Sequence, residues 1–300
     1  MHVAPTNNRR NPHAADSLLT PHSVRHDRRQ IPISEEIDSD SGVNACVLVR
    51  WQPFNQERKP ISRPRSPVKA PNALSIDVDV AVAVESWAAF NELKNLLINS
   101  GNFAAGRNAH RVVGAADELV GRQLDIMPFG RGIEEPRAVI RWPSDVTTVM
   151  SVAGFAEALA ASIEHRVDDQ RIRLASVPGL AILKLVAWSD RGTTTDKDTV
   201  DFSRLLITYE HVIGPDDLYV AYLDALEAND IEPDATAAWL LGAHIRAIAS
   251  VTTLADVIGV LDNAAFRQAM LNAENRTARH ETLVAKCHSS LAGAPPDRSV

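Results

Sequence analysis

Leu74-Ser75-Ile76-Asp77-Val78-Asp79-Val80-Ala81-Val82-Ala83-Val84 sets two aspartates one residue apart inside a run of strand formers. Alternate residues of a β-strand share a face. The spacing therefore predicts that Asp77 and Asp79 project side by side, with Val78 and Val80 on the opposite face. Two ionised carboxylates about 7 Å apart, the distance set by the strand rise, repel one another. A divalent cation between them, or a pair of cations carrying a phosphate, removes that repulsion. The alternative is an edge strand wearing two solvated acids.

Outward from this stretch, Ser86 can cap a helix running through Ser100, with Trp87, Phe90, Leu93, Leu96 and Leu97 at helical spacing and Gly101 to end it. His110 to Val113 and Arg122 to Gly130 read as strands closed by turn signals. The second of these sets Asp125 between Leu124 and Ile126, again an acid within a short apolar strand. Ala138 to Trp142 predicts another strand, Val152 to Ile163 a helix, and Arg171 to Val177 a strand. The order of elements predicts an α+β fold, a mixed sheet with helices on one face. From Pro178 the chain turns helical, with a further helix over Lys197 to Tyr209. Beyond Pro215 the Ala- and Leu-rich sequence predicts a C-terminal helical bundle, broken near 229–233, Gly242 and Gly259, and ending in a frayed Ala-Gly-Ala-Pro-Pro-Asp tail.

Upstream, residues 1–71 form a Pro/Arg-rich region predicted to be poorly ordered, with one short strand possible over 43–51. The partition is then 1–71, a folded α+β region over 72–212, and a helical region over 213–300. The net charge of −7 is uneven: residues 1–70 carry 11 Lys and Arg against 7 Asp and Glu, and the remainder 20 against 31. An acidic body argues against broad duplex binding, which needs cations to neutralise phosphates. It leaves room for a small anion that arrives with magnesium. No apolar run approaches the length of a membrane span, and the N-terminus lacks the apolar core of a secretory signal. Cys46 and Cys287 are far apart without metal-ligand spacing, which predicts a reducing, cytoplasmic setting.

The chemistry-bearing residues are few. Asp77, Asp79 and Asp125, three acids on strands, suit metal-assisted phosphoryl or nucleotidyl transfer, which uses carboxylates to hold two cations about 3.5–4 Å apart. Lys184 is the one charged residue between Leu174 and Asp190, in a helix that should be mostly buried. It must reach water or an anion, either by snorkelling along the helix edge or by contacting a triphosphate at the mouth of a cleft. Asp198 and Asp201 share a helical face and can orient Lys184 or Arg191, act as a base toward an acceptor, or serve a helix dipole. No P-loop, GxGxxG or serine–histidine–acid pattern occurs, and His110 and His165 read as solvated.

Taken together, these residues resemble the nucleotidyltransferase superfamily with a DNA polymerase beta-like palm, and within it the bacterial nucleotidyltransferases of the AbiEii toxin type. The resemblance is carried by Ile76 to Trp87, His110-Arg111, Leu124 to Gly130, Trp142-Pro143, Val152 to Phe155, Leu183 to Arg191, Lys197 to Asp201 and Tyr209, in that order over residues 74–212. It implies magnesium-dependent transfer of a nucleotide from an NTP to an acceptor, in the toxin branch tRNA or a protein, with a cognate antitoxin as partner. Asp77 and Asp79 would bind metal and Asp125 would complete the triad. Lys184 would lie near the triphosphate with Asp198, Asp201 and Arg191 close by. One departure stands out. The family carries a glycine turn about a dozen residues before the paired acids, where backbone amides hold the triphosphate. Here Lys59 to Pro71 has no glycine and four prolines, which lack the N–H that such a cradle needs. The alternative expectation is thus a catalytically impaired nucleotidyltransferase-like scaffold or binding protein; a metal-dependent phosphohydrolase is a third reading.

Overall fold

The computed structural model describes residues 44–48, 77–167, 170–192, 194–272 and 278–293. The remainder of the region 1–71, its boundary at 71/72 and the C-terminal tail after Gly293 lie outside the described residues. The strand anticipated over 43–51 forms β1 (Asn44–Leu48). The acid-bearing stretch forms β2 (Asp77–Ala83), followed by α1 (Trp87–Asn99). Ser86 caps α1 as expected, its Oγ accepting from Ala89 N at 3.1 Å, a contact that typically stabilises by about 1 kcal/mol.

Next come β3 (Phe103–Ala105), β4 (Arg111–Gly114) and β5 (Gln123–Phe129). A small sheet of β6 (Glu134–Glu135), β7 (Val139–Trp142) and β8 (Asp145–Ser151) follows. The chain continues through α2 (Phe155–Ala160), β9 (Ile163–Val167), β10 (Gln170–Leu174), α3 (Val177–Arg191) and α4 (Lys197–Ile213). Six helices complete it: α5 (Pro215–Val220), α6 (Leu223–Ala228), α7 (Pro233–Ile248), α8 (Val251–Asp262), α9 (Ala264–Asn272) and α10 (Ala278–Leu291).

The main sheet is mixed, with seven strands in the order β3-β4-β5-β2-β1-β10-β9. β2 is its middle strand, parallel to β5 on one side and antiparallel to β1 on the other. The edge-strand reading of the two acids is thereby overturned. Ala81 and Val82 point to opposite faces of β2, and both are buried. Both surfaces of the sheet are therefore covered at its centre, and helices on one face account for only one of them. Phe90 and Trp87 of α1 pack with Trp142 of the small sheet in this core, their rings 5–6 Å apart.

A second core unites α3 and α4 with the helices that follow, and Leu180 of α3 packs against both cores. Three local expectations fail. The helix foreseen over 152–163 stops at Ala160, because Ile163–Val167 is drawn into a full antiparallel pairing with β10. Gly242 and Gly259 do not break helices but lie inside α7 and α8. At Gly242 an added Cβ would collide with the Cys287 carbonyl of α10, so the glycine permits close approach of two helices. β3, β6 and β8 were not foreseen. Among the described residues, no helix is long and apolar enough to cross a membrane.

Candidate functional site

The parallel pairing of β2 with β5 sets Asp79 directly opposite Asp125, and Asp77 opposite Gln123. Paired residues of adjacent strands share a face, so Asp79 and Asp125 present carboxylates to one surface of the sheet's centre. Asp77 holds the first position of β2, two residues before Asp79; its side chain lies outside the described part of the structure.

On the other side of β5, the antiparallel strand β4 brings Arg111 opposite Asp125. The guanidinium grips both oxygens: Nε donates to Oδ1 and Nη2 to Oδ2, each at 2.6 Å. This is the bidentate fork that makes arginine–carboxylate pairs strong. The side chains of Arg111 and Asp125 are 30% and 16% exposed, so the pair is neither solvated nor sealed. His110 precedes it, half-buried with its ring 5.7 Å from that of Trp142. Burial lowers the His110 pKa, the Asp125 and Asp79 charges oppose that shift, and Arg111 and Lys94 reinforce it. The solvated reading of His110 is therefore corrected. Lys94 of α1 donates to the Ala109 carbonyl at 2.6 Å, tying the helix to this loop.

The second group of candidates gathers where α3 ends and α4 begins. Lys184 Nζ lies 2.8 Å from Asp201 Oδ2 and 3.8 Å from Asp198 Oδ1. Arg191 forms a second fork, its Nε and Nη2 donating to Asp198 at 2.7 and 2.9 Å. Asp198 is fully buried, so its two cationic partners supply what water cannot. Lys184 thus escapes burial of a bare charge by pairing with acids one helix over, as the spacing allowed, rather than by reaching a solvated edge. Asp198 raises the Arg191 pKa most, against desolvation, and Asp79 and Asp190 add to the effect. The C-terminal end of α3 therefore lies within the electrostatic reach of the acid on β2. Asp190 itself, raised in pKa by burial, accepts from Ser151 N at 3.3 Å and links α3 to β8.

The structure thus brings together Asp79 and Asp125 on the sheet, and Lys184, Arg191, Asp198 and Asp201 beside α3 and α4. Among the described residues, no group of three or more histidine, cysteine, aspartate or glutamate side chains is assembled for a metal ion. The donor types of Asp79 and Asp125 nevertheless fit a hard cation such as magnesium. Both Asp125 oxygens are engaged by Arg111, yet each retains a further lone pair; a cation there must share the carboxylate or displace the arginine. Sequence reasoning gave Arg111, His110, Lys94 and Asp190 no role in the site. Arg111 and Asp125 are 14 residues apart on different strands, a separation without a local signature.

Comparison with protein-family models, with curated proteins and with solved structures returned no match.

Proposed function

We propose that this chain is a nucleotidyltransferase-like protein whose paired strands β2 and β5 hold a magnesium-bound NTP for transfer of its NMP to an RNA or protein acceptor, as a toxin with a cognate antitoxin would do. The observation that carries this reading is the parallel register that sets Asp79 beside Asp125 at the centre of the sheet. Two ionised acids on one face of neighbouring strands repel one another, and a divalent cation held between them would offset that repulsion in addition to the Arg111 guanidinium on Asp125. Asp79 and Asp125, with Asp77 two residues ahead of Asp79, are the residues that would hold magnesium. When bound, it supplies charge neutralisation of the triphosphate and activation of the attacking hydroxyl. Asp198 fixes Arg191 at the C-terminal end of α3 and, with Asp201, Lys184 at its middle, and the Arg191 guanidinium sits in the field of Asp79.

A second reading, an impaired scaffold that binds nucleotide weakly or not at all, is favoured by a specific observation. Arg111, Lys184 and Arg191 are all paired with the protein's own carboxylates, and the glycine turn is absent upstream of β2. The separating experiment incubates the protein with labelled NTPs, magnesium and total tRNA beside an Asp77→Ala/Asp79→Ala variant. The transferase reading expects label in RNA or protein that the double substitution abolishes. Label that survives the substitution removes the acid pair from the chemistry. Absence of transfer from the wild type, together with absence of NTP binding, supports the scaffold.

A further inference from the structure

The Arg111–Asp125 fork stands where one of the proposed cation ligands should be available. Asp125 gives both oxygens to the guanidinium at 2.6 Å, while Asp79 occupies the paired position on the next strand. The geometry is built in, because the hairpin between β3 and β4 fixes the arginine stem. Gly106 N donates to Arg111 O and Arg111 N to Asn108 O, each at 3.0 Å. Gly106 lies so close that an added Cβ would stand 2.7 Å from Arg111 Cγ and 2.9 Å from its Cβ. The guanidinium therefore approaches Asp125 along a path the backbone sets, and with its side chain 30% exposed it has a route toward solvent. A guanidinium and a divalent cation seek the same carboxylate lone pairs.

A second observation concerns phosphate. Lys59 to Pro71 has no glycine to form the amide cradle that the resemblance implies, which gives side-chain cations weight in meeting phosphate charge. Lys184 and Arg191 are bound to Asp201 and to the fully buried Asp198. The Arg111 fork differs from theirs in that the acid it grips, Asp125, is itself a candidate cation ligand.

Resting on the magnesium-site reading above, we propose that Arg111 is the resident counter-ion of Asp125. A divalent cation displaces it, and the displaced guanidinium then grips the phosphates that arrive with the cation, in place of the missing glycine turn. Cation binding and phosphate recognition become one exchange at one carboxylate.

The test is calorimetric titration of the full chain with Mn²⁺, alone and with a non-hydrolysable ATP analogue, for wild type, Arg111→Gln, Arg111→Lys and Asp125→Asn. Without nucleotide, Arg111→Gln should bind Mn²⁺ about tenfold more tightly than wild type, since the competing charge-assisted hydrogen bonds are gone. With the analogue present the order should reverse, Arg111→Gln binding the Mn²⁺–nucleotide pair about tenfold more weakly. Arg111→Lys, which keeps stem and charge without the fork, should fall between, and it carries the test if the glutamine variant does not fold. Mn²⁺ affinity unchanged or weakened in Arg111→Gln, while Asp125→Asn still lowers wild-type binding, overturns the exchange and leaves the cation site standing. Tighter Mn²⁺ with undiminished nucleotide affinity overturns the phosphate half. Wild type and Arg111→Gln both failing to bind Mn²⁺ overturns the exchange and the cation site together.

Discussion

The arginine–carboxylate forks Arg191–Asp198 and Arg111–Asp125 have nearly the same geometry, and they differ in what surrounds the acid. Asp198 is fully buried and holds Arg191 and Lys184 at once. Asp125 is partly exposed, holds Arg111, and stands opposite another acid, Asp79, on the neighbouring strand. The first acid lies between cations, and the second between a cation and an anion. The same ion pair is thus an anchor in one place and an exchangeable occupant in the other. Its neighbours decide which.

The largest expected effect breaks the anchor. Asp198→Ala should leave Lys184 and the inner part of Arg191 without their buried partner and cost about 3 kcal/mol or more, read as a fall in the urea midpoint. Asp125→Asn, which retains an acceptor for Arg111 and relieves repulsion with Asp79, should cost less than about 1.5 kcal/mol by the same measurement. Equal losses at the two sites would remove the distinction drawn between them.

Next in size is the response to acid, which separates the helical core from the sheet. His244 of α7 accepts or donates at 2.7 Å from the Tyr209 hydroxyl, and burial pushes its pKa down to about 4 from an ordinary 6.5. The unfolded chain therefore takes up the proton first as pH falls. Stability from this group is fully present above about 6.5 and is lost progressively as pH falls toward 4, by up to roughly 3 kcal/mol. Thermal melts of His244→Gln should show that slope flattened across this window, with the behaviour of the acid face unchanged.

The smallest effect sharpens the second fork. Gly106→Ala places a methyl against the Arg111 stem and backbone and should cost about 1–2 kcal/mol through overpacking. It should also shift the Arg111 guanidinium resonances in NMR spectra while leaving those of Arg191 in place.

Much of this contrast could not be read from the chain. β2 was legible because strand formers bracket its acids, and Asp125 because an acid between Leu124 and Ile126 repeats that pattern. The pairing of Lys184 and Arg191 with Asp198 and Asp201 was legible because consecutive helices keep these residues close. The Arg111–Asp125 fork was not, since it depends on cross-strand register, which no local period encodes. Ile163–Val167 follows an Ala-rich helix without a glycine or proline to mark the change, and its strand state comes from pairing with β10. Gly242 reads as a helix breaker in isolation, and only the nearness of Cys287 on α10 explains its place in α7. The side chain of Asp77, which opens the paired acids, lies outside the described part, so its share in the site rests on its position in β2.

The central claim is that the acids paired across β2 and β5 form a cation-dependent triphosphate site. Its most direct measurement is equilibrium binding of a non-hydrolysable NTP analogue to wild type and Asp79→Asn, with magnesium and with EDTA. Binding that needs both magnesium and Asp79 is the predicted result. Binding that persists in EDTA or in Asp79→Asn, or no binding by the wild type at all, contradicts it.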